Sequence, residues 1–85
     1  SNMSWRKDLF VPGSLYKAKH EFHVAVGELC SFQKGEVLKF IRDYYSPYDG
    51  ESSYEFVSEL DGTTKYWALP DNEEAEFWKN YFEIV

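Results

Sequence analysis

Four aromatic residues, Tyr16, Tyr54, Trp67 and Tyr81, are of the type that forms a binding platform when exposed. Such rings suit a polyproline-type peptide, which loses little entropy on binding. The same rings could instead pack a core or hold an appended helix. His20 and His23 flank Glu21. Two imidazoles and a carboxylate can ligate a metal, but a metal site needs convergent geometry and usually a further partner. Residues this close in a strand or loop need not converge, so a solvated loop is expected, with no metal and no cofactor. Cys30 would be reactive only beside positive charge or a helix N-terminus; in an apolar strand it is a small inert hydrophobe. Glu73, Glu74 and Glu76 form either an acidic docking face or a solvated helix face. No carboxylate pair stands out for acid–base work, and no Ser-His-Asp or phosphate-loop pattern occurs. The expectation is a protein that is not an enzyme.

The elements that position these residues must fit in 85 residues, one domain at most. A core this small is helped by large side chains: seven Phe, seven Tyr and three Trp make the chain 20% aromatic. That is more than one small core can hold, so some rings should lie at the surface. Fifteen acids against nine bases give a net charge of −6. Phosphate backbones and anionic membranes are bound through Lys and Arg, so neither nucleic acid nor membrane is an expected partner. A basic or neutral protein partner fits. The single cysteine excludes an internal disulfide and fits a reducing cytoplasm. No apolar run is long enough to span a bilayer, and no signal peptide is visible. Ser1-Asn2 ahead of Met3 reads as a cloning remnant.

Along the chain, residues 1–13 read as that remnant and an arm. A helical turn after Ser4 would carry Trp5 and Leu9, and "VPGS" (Val11–Ser14) breaks it. Trp5 or Phe10 should anchor the arm to a single domain over residues 14–85. A first strand is predicted at Leu15–Phe22. A second, "VAVGELCSF", is interrupted at Gly27 by a bulge or loop. Glu36–Tyr45 is the clearest strand, with Leu38 and Phe40 facing the core beside Phe32, and Gly35 at the preceding turn. "YEFVSEL" alternates with period two, and Asp61-Gly62 suits a tight hairpin into "TTKYWAL". After Pro70 the period changes. Asp71 and Glu74 make a capping box for a helix over Asn72–Tyr81, and "FEIV" closes the chain as a short strand. About five strands with short connections predict a mainly β fold, a small barrel flanked by one helix.

Three segments resemble the Src homology 3 family. "SLYKA" (Ser14–Ala18) is similar to its first-strand motif Ala-Leu-Tyr-Asp-Tyr. "GELCSFQKGEVLKFI" resembles its diverging turn and second strand, and "ALP…NYFEIV" resembles its closing Pro-Ser-Asn-Tyr-Val, with Pro70, Asn80 and Tyr81 matching. The resemblance covers most of Leu15–Val85. It implies a five-stranded Src-homology-3-like barrel with a C-terminal helix inserted before the last short strand. It also implies a peptide groove to which Tyr16, Pro70 and Tyr81 carry over, with Tyr54 the nearest substitute for the family's groove Trp. Ala18 stands in place of the second tyrosine, and Asp71–Lys79 splits the closing motif. Length and pattern are also similar to an uncharacterised bacterial domain family.

The expected function is therefore a cytoplasmic protein-interaction module, bacterial in origin. It would bind a protein or peptide segment through exposed aromatics, with Tyr16, Tyr54, Pro70 and Tyr81 as the binding candidates. A small acidic inhibitor or immunity-type protein that blocks a basic partner is the alternative.

Overall fold

The computed structural model describes residues 9–26 and 28–85. The expected turn around Trp5 and the interruption at Gly27 lie outside them. Among the described residues seven strands form: β1 Leu15–Ala18, β2 Phe22–Val26, β3 Glu28–Phe32, β4 Val37–Ser46, β5 Glu51–Ser58, β6 Thr64–Pro70 and β7 Phe82–Ile84. A 3-10 helix, Ala75–Asn80, precedes β7. Five strands make one antiparallel sheet in the order β6-β5-β4-β1-β7, and β2-β3 make a second. The fold is mainly β, but the expected count of five strands is too low, and the two ladders do not join into a closed barrel. Two readings of the sequence account for the difference. The predicted first strand stops at Ala18, and Phe22 opens a new one. The interrupted second strand is two strands paired as a hairpin, with Phe22 opposite Phe32 and Val24 opposite Cys30.

The inner faces follow period-two alternation. Ser52, Tyr54, Phe56 and Ser58 are buried along β5, and Leu38 and Phe40 along β4. The β4–β5 register slips between Phe40 and Arg42, so β4 carries a bulge at Ile41. Beyond it Arg42 is exposed. The arm is part of the core from its last residues. Phe10 is 2% exposed and packs against Tyr16, Phe40, Tyr54, Phe56 and Phe82. The Tyr16 hydroxyl accepts the Val11 N–H at 2.8 Å, and Gly13 N–H donates to Phe40 O at 2.8 Å. Phe10 thus anchors the arm as expected, and the packed unit begins before residue 14.

The turn Gln33–Glu36 separates the hairpin from β4. Gly35 there has φ 82°, a conformation that favours glycine, and Glu36 N–H donates to Gln33 O at 3.0 Å. The Glu36 carboxylate folds back to accept the Gln33 N–H at 2.9 Å and also accepts Ser58 Oγ–H and the Lys65 ammonium. Lys65 further donates to Ser31 O at 2.7 Å, so its side chain ties β6 to β3 where no ladder does. Glu36 and Lys65 are the polar hinge between the two sheets.

The expected helix over Asn72–Tyr81 is replaced by the shorter 3-10 helix, and the capping box does not form. Glu74 is the N-cap, in extended conformation and with no side-chain cap bond. Asp71 is committed elsewhere: its carboxylate accepts the Tyr45 hydroxyl at 2.7 Å and its N–H donates to Gly50 O at 2.7 Å. Asp61-Gly62 does turn the chain between β5 and β6, but within a longer loop over residues 59–63 rather than a two-residue hairpin. Gly62 takes φ 75°, and Asp61 accepts the Thr63 N–H and hydroxyl, which hold its carboxyl below the usual range.

Candidate functional site

The three-residue period of the 3-10 helix decides which rings reach the surface. Ala75 and Trp78 share one side, and Trp78 is buried against Phe10 and Tyr16. Phe77 falls on another side and stays half-buried. Tyr81 N–H donates to Trp78 O at 3.0 Å, closing the last turn. The Tyr81 ring then lies between Phe22 (4.9 Å), Phe77 (5.4 Å), Trp67 (5.6 Å) and His20 (5.6 Å), half-buried at the edge of the core.

Of the four binding candidates, Pro70 is exposed at the end of β6 and Tyr81 is half-exposed. Tyr16 and Tyr54 are not on a platform. They are 4% and 2% exposed, and both pack against Phe10. Trp67 is buried as well, between Tyr54 and Tyr81. The reason is the arm, whose Phe10 ring takes the space beside Tyr16 and Tyr54. Around the 3-10 helix, Phe77 and Tyr81 are the rings that keep exposed surface, and the α-helical period assumed for the sequence hid Phe77. Read with period three, Trp78 and Phe77 separate at once.

Acids gather beside these rings. Asn72, Glu73, Glu74, Glu76, Phe77 and Asn80 line a shallow concavity of about 440 Å³. Asp71 N–H on Gly50 O brings the β4–β5 turn alongside, with Asp49, Glu51 (opposite Pro70) and the wholly exposed Tyr48. Lys79 pairs with Glu76. This end of the molecule is acidic with aromatic and proline surface. Carboxylates beside ring faces attract ammonium and guanidinium groups.

The two histidines take different partners. His23 Nδ1 faces Ser31 Oγ at 2.9 Å on the hairpin, and His20 Nε2 faces Asn80 O at 3.1 Å at the end of the 3-10 helix. Cys30 is half-buried in β3. No helix among the described residues is long and apolar enough to cross a membrane.

No protein-family model matches the chain, and comparison with curated proteins gives no match. Among solved structures the chain is similar to an integron cassette protein from the mobile metagenome of Vibrio cholerae. The likeness has a TM-score of 0.65 at 22% identity and covers 87% of this chain and 83% of that one. At this identity it speaks to the fold alone.

Proposed function

We propose that this protein is a non-enzymatic interaction module on an open, Src-homology-3-like arrangement of strands, which receives a basic protein segment on its Phe77–Tyr81 face. The strand order supports the fold reading. A hairpin stands between β1 and β4, β1 pairs with both β4 and β7, and a 3-10 helix directly precedes the last strand. Two segments that resemble the family's motifs support it as well: the turn at Gln33–Glu36 precedes β4, and Asn80-Tyr81 leads into β7. The bacterial neighbour and the lone thiol agree with a bacterial, cytoplasmic protein.

The observation that carries the function is the pairing of two half-buried rings with a rim of carboxylates. Tyr16 and Tyr54 are filled from within by Phe10, so the contact surface shifts from the family's groove toward the 3-10 helix. Titration with arginine- and proline-containing peptides, followed by nuclear magnetic resonance, should perturb Phe77 and Tyr81 together with Glu73 and Glu74. Shifts absent there for every peptide would end this reading.

The acidic end also favours the inhibitor reading, because the Asp71 N–H bond to Gly50 O brings two acidic segments together, the β4–β5 turn and residues 71–76. A pull-down that recovers a basic enzyme, and loss of that enzyme's activity on mixing, would select it over a peptide-binding module.

A further inference from the structure

We infer that Lys19 and His20 form a proton-dependent clamp on the end of the 3-10 helix, which sets the position of the Phe77–Tyr81 face. What the clamp regulates rests on the binding reading above; the clamp itself does not.

The last carbonyls of a helix lack partners within it. Here three consecutive ones are taken by two consecutive residues of the β1–β2 turn. Lys19 Nζ donates to Lys79 O at 2.9 Å, His20 Nε2 lies 3.1 Å from Asn80 O, and Lys19 N–H donates to Tyr81 O at 2.8 Å. The second ring nitrogen of His20, Nδ1, lies 3.0 Å from Glu21 O. Carbonyl oxygens only accept, so both nitrogens of this ring face acceptors. The imidazolium donates from both. A neutral ring carries one N–H and must leave either Asn80 O or Glu21 O against a lone pair. The Phe22 and Tyr81 rings, at 5.5 and 5.6 Å, flank the imidazole.

The surrounding charges are mixed. Lys19 and Glu21 come from the same turn, Lys79 with its partner Glu76 from the 3-10 helix, and Glu83 from β7; the Tyr81 hydroxyl is the remaining titratable group. Deprotonation leaves both Lys19 bonds in place, to Lys79 O and Tyr81 O. Where the remaining ring proton sits on Nδ1, Asn80 O faces a lone pair, and the helix end shifts without detaching, carrying Tyr81 with it.

The test follows the ring resonances of His20, Phe77 and Tyr81 in the unliganded protein from pH 5 to pH 8.5, spanning the ordinary histidine range near about 6.5. Phe77 and Tyr81 should move with the midpoint of His20, and the movement should vanish in His20→Gln but persist in His23→Gln. Phe77 and Tyr81 resonances that stay fixed while His20 titrates would overturn the clamp. A second arm measures an alternating arginine-proline decapeptide, acetylated at its N-terminus and amidated at its C-terminus, whose charge is constant over this range. Binding that weakens about two-fold or more above the His20 midpoint, in the wild type and not in His20→Gln, supports regulation. Equal binding at both ends of the range overturns it. Failure of the decapeptide to bind at any pH, with Tyr81 still tracking His20, overturns the binding reading and supports the clamp.

Discussion

The carboxylate of Glu36 meets the ammonium of Lys65 at 2.8 Å, with the Glu36 side chain fully covered and Lys65 14% exposed. Burial alone would raise the pKa of Glu36. The Gln33 N–H, the Lys65 ammonium and the Ser58 hydroxyl outweigh it and hold the pKa below the ordinary 4.5. A carboxylate with a depressed folded pKa stabilises fully above its unfolded value, and that contribution is lost as pH falls through the lower folded value. Urea unfolding should therefore show stability declining below pH 4.5, and Glu36→Gln should flatten that part of the profile. Lys65→Met leaves a buried carboxylate without its cation and should cost about 3–5 kcal/mol at neutral pH. An unchanged pH profile in Glu36→Gln would show that other carboxylates control acid unfolding.

The arm supplies the second prediction. Phe10 sits among rings of β1, β4, β5 and β7, so Phe10→Ala opens a cavity at the centre of the core. It should cost about 3–5 kcal/mol, most of the stability of a domain this size. Phe40→Ala, at 3% exposure on β4, belongs in the same range. Chemical denaturation of both variants checks this, and a Phe10→Ala protein as stable as the parent would remove the arm from the packed unit.

Gly35 offers a backbone test free of packing effects. Its φ is 82°, and a Cβ built there meets nothing within 4 Å. Gly35→Ala should cost about 1–2 kcal/mol from conformation alone. A thermal melt that leaves the midpoint unchanged would show that the turn relaxes to another geometry.

The strands were legible where alternation and turn chemistry agreed. Leu38, Phe40 and Phe32 lie in the core, and Gly35 turns the chain ahead of β4. The hairpin was not legible as two strands, because Val24–Phe32 reads as one strand interrupted at Gly27 and only the packing of Phe22 on Phe32 (4.6 Å, stacked) sets its pairing. The helix was misjudged because Asp71 and Glu74 have the spacing of a capping box, yet Asp71 is held by Tyr45 of β4 and Gly50 of the β4–β5 turn, both distant in sequence. The site suffered most. A tyrosine's type says that it can bind, and not whether Phe10 from the arm already covers it.

The Asp71 assignment can be tested directly. Were Asp71 a helix cap, Asp71→Ala would reduce the helical signal in far-ultraviolet circular dichroism. Its carboxylate instead accepts the Tyr45 hydroxyl, so Tyr45→Phe and Asp71→Ala should each destabilise by about 1.5–3 kcal/mol. The spectrum of each folded variant should be nearly unchanged. A double mutant no worse than either single would confirm that the two residues act as one contact.

The two rings of the proposed face should separate binding from stability. Tyr81 closes the core edge over Phe22 and Trp67, so Tyr81→Ala should lower both the melting temperature and the affinity for an arginine-rich peptide. Phe77 meets Tyr81 on the solvent side of that edge. Phe77→Ala should cost less than about 1 kcal/mol in stability while weakening the peptide several-fold. The carboxylates act differently. Exposed charges steer encounter over about 8–10 Å at physiological salt, so Glu73→Gln with Glu74→Gln should slow association and make it less sensitive to added salt. Surface plasmon resonance at two salt concentrations reads both effects. If Phe77→Ala binds as the parent does while Glu73→Gln with Glu74→Gln abolishes binding, the surface is a purely electrostatic one. The inhibitor reading, in which a broad basic partner docks on the acidic end, then replaces recognition of a peptide by aromatic rings.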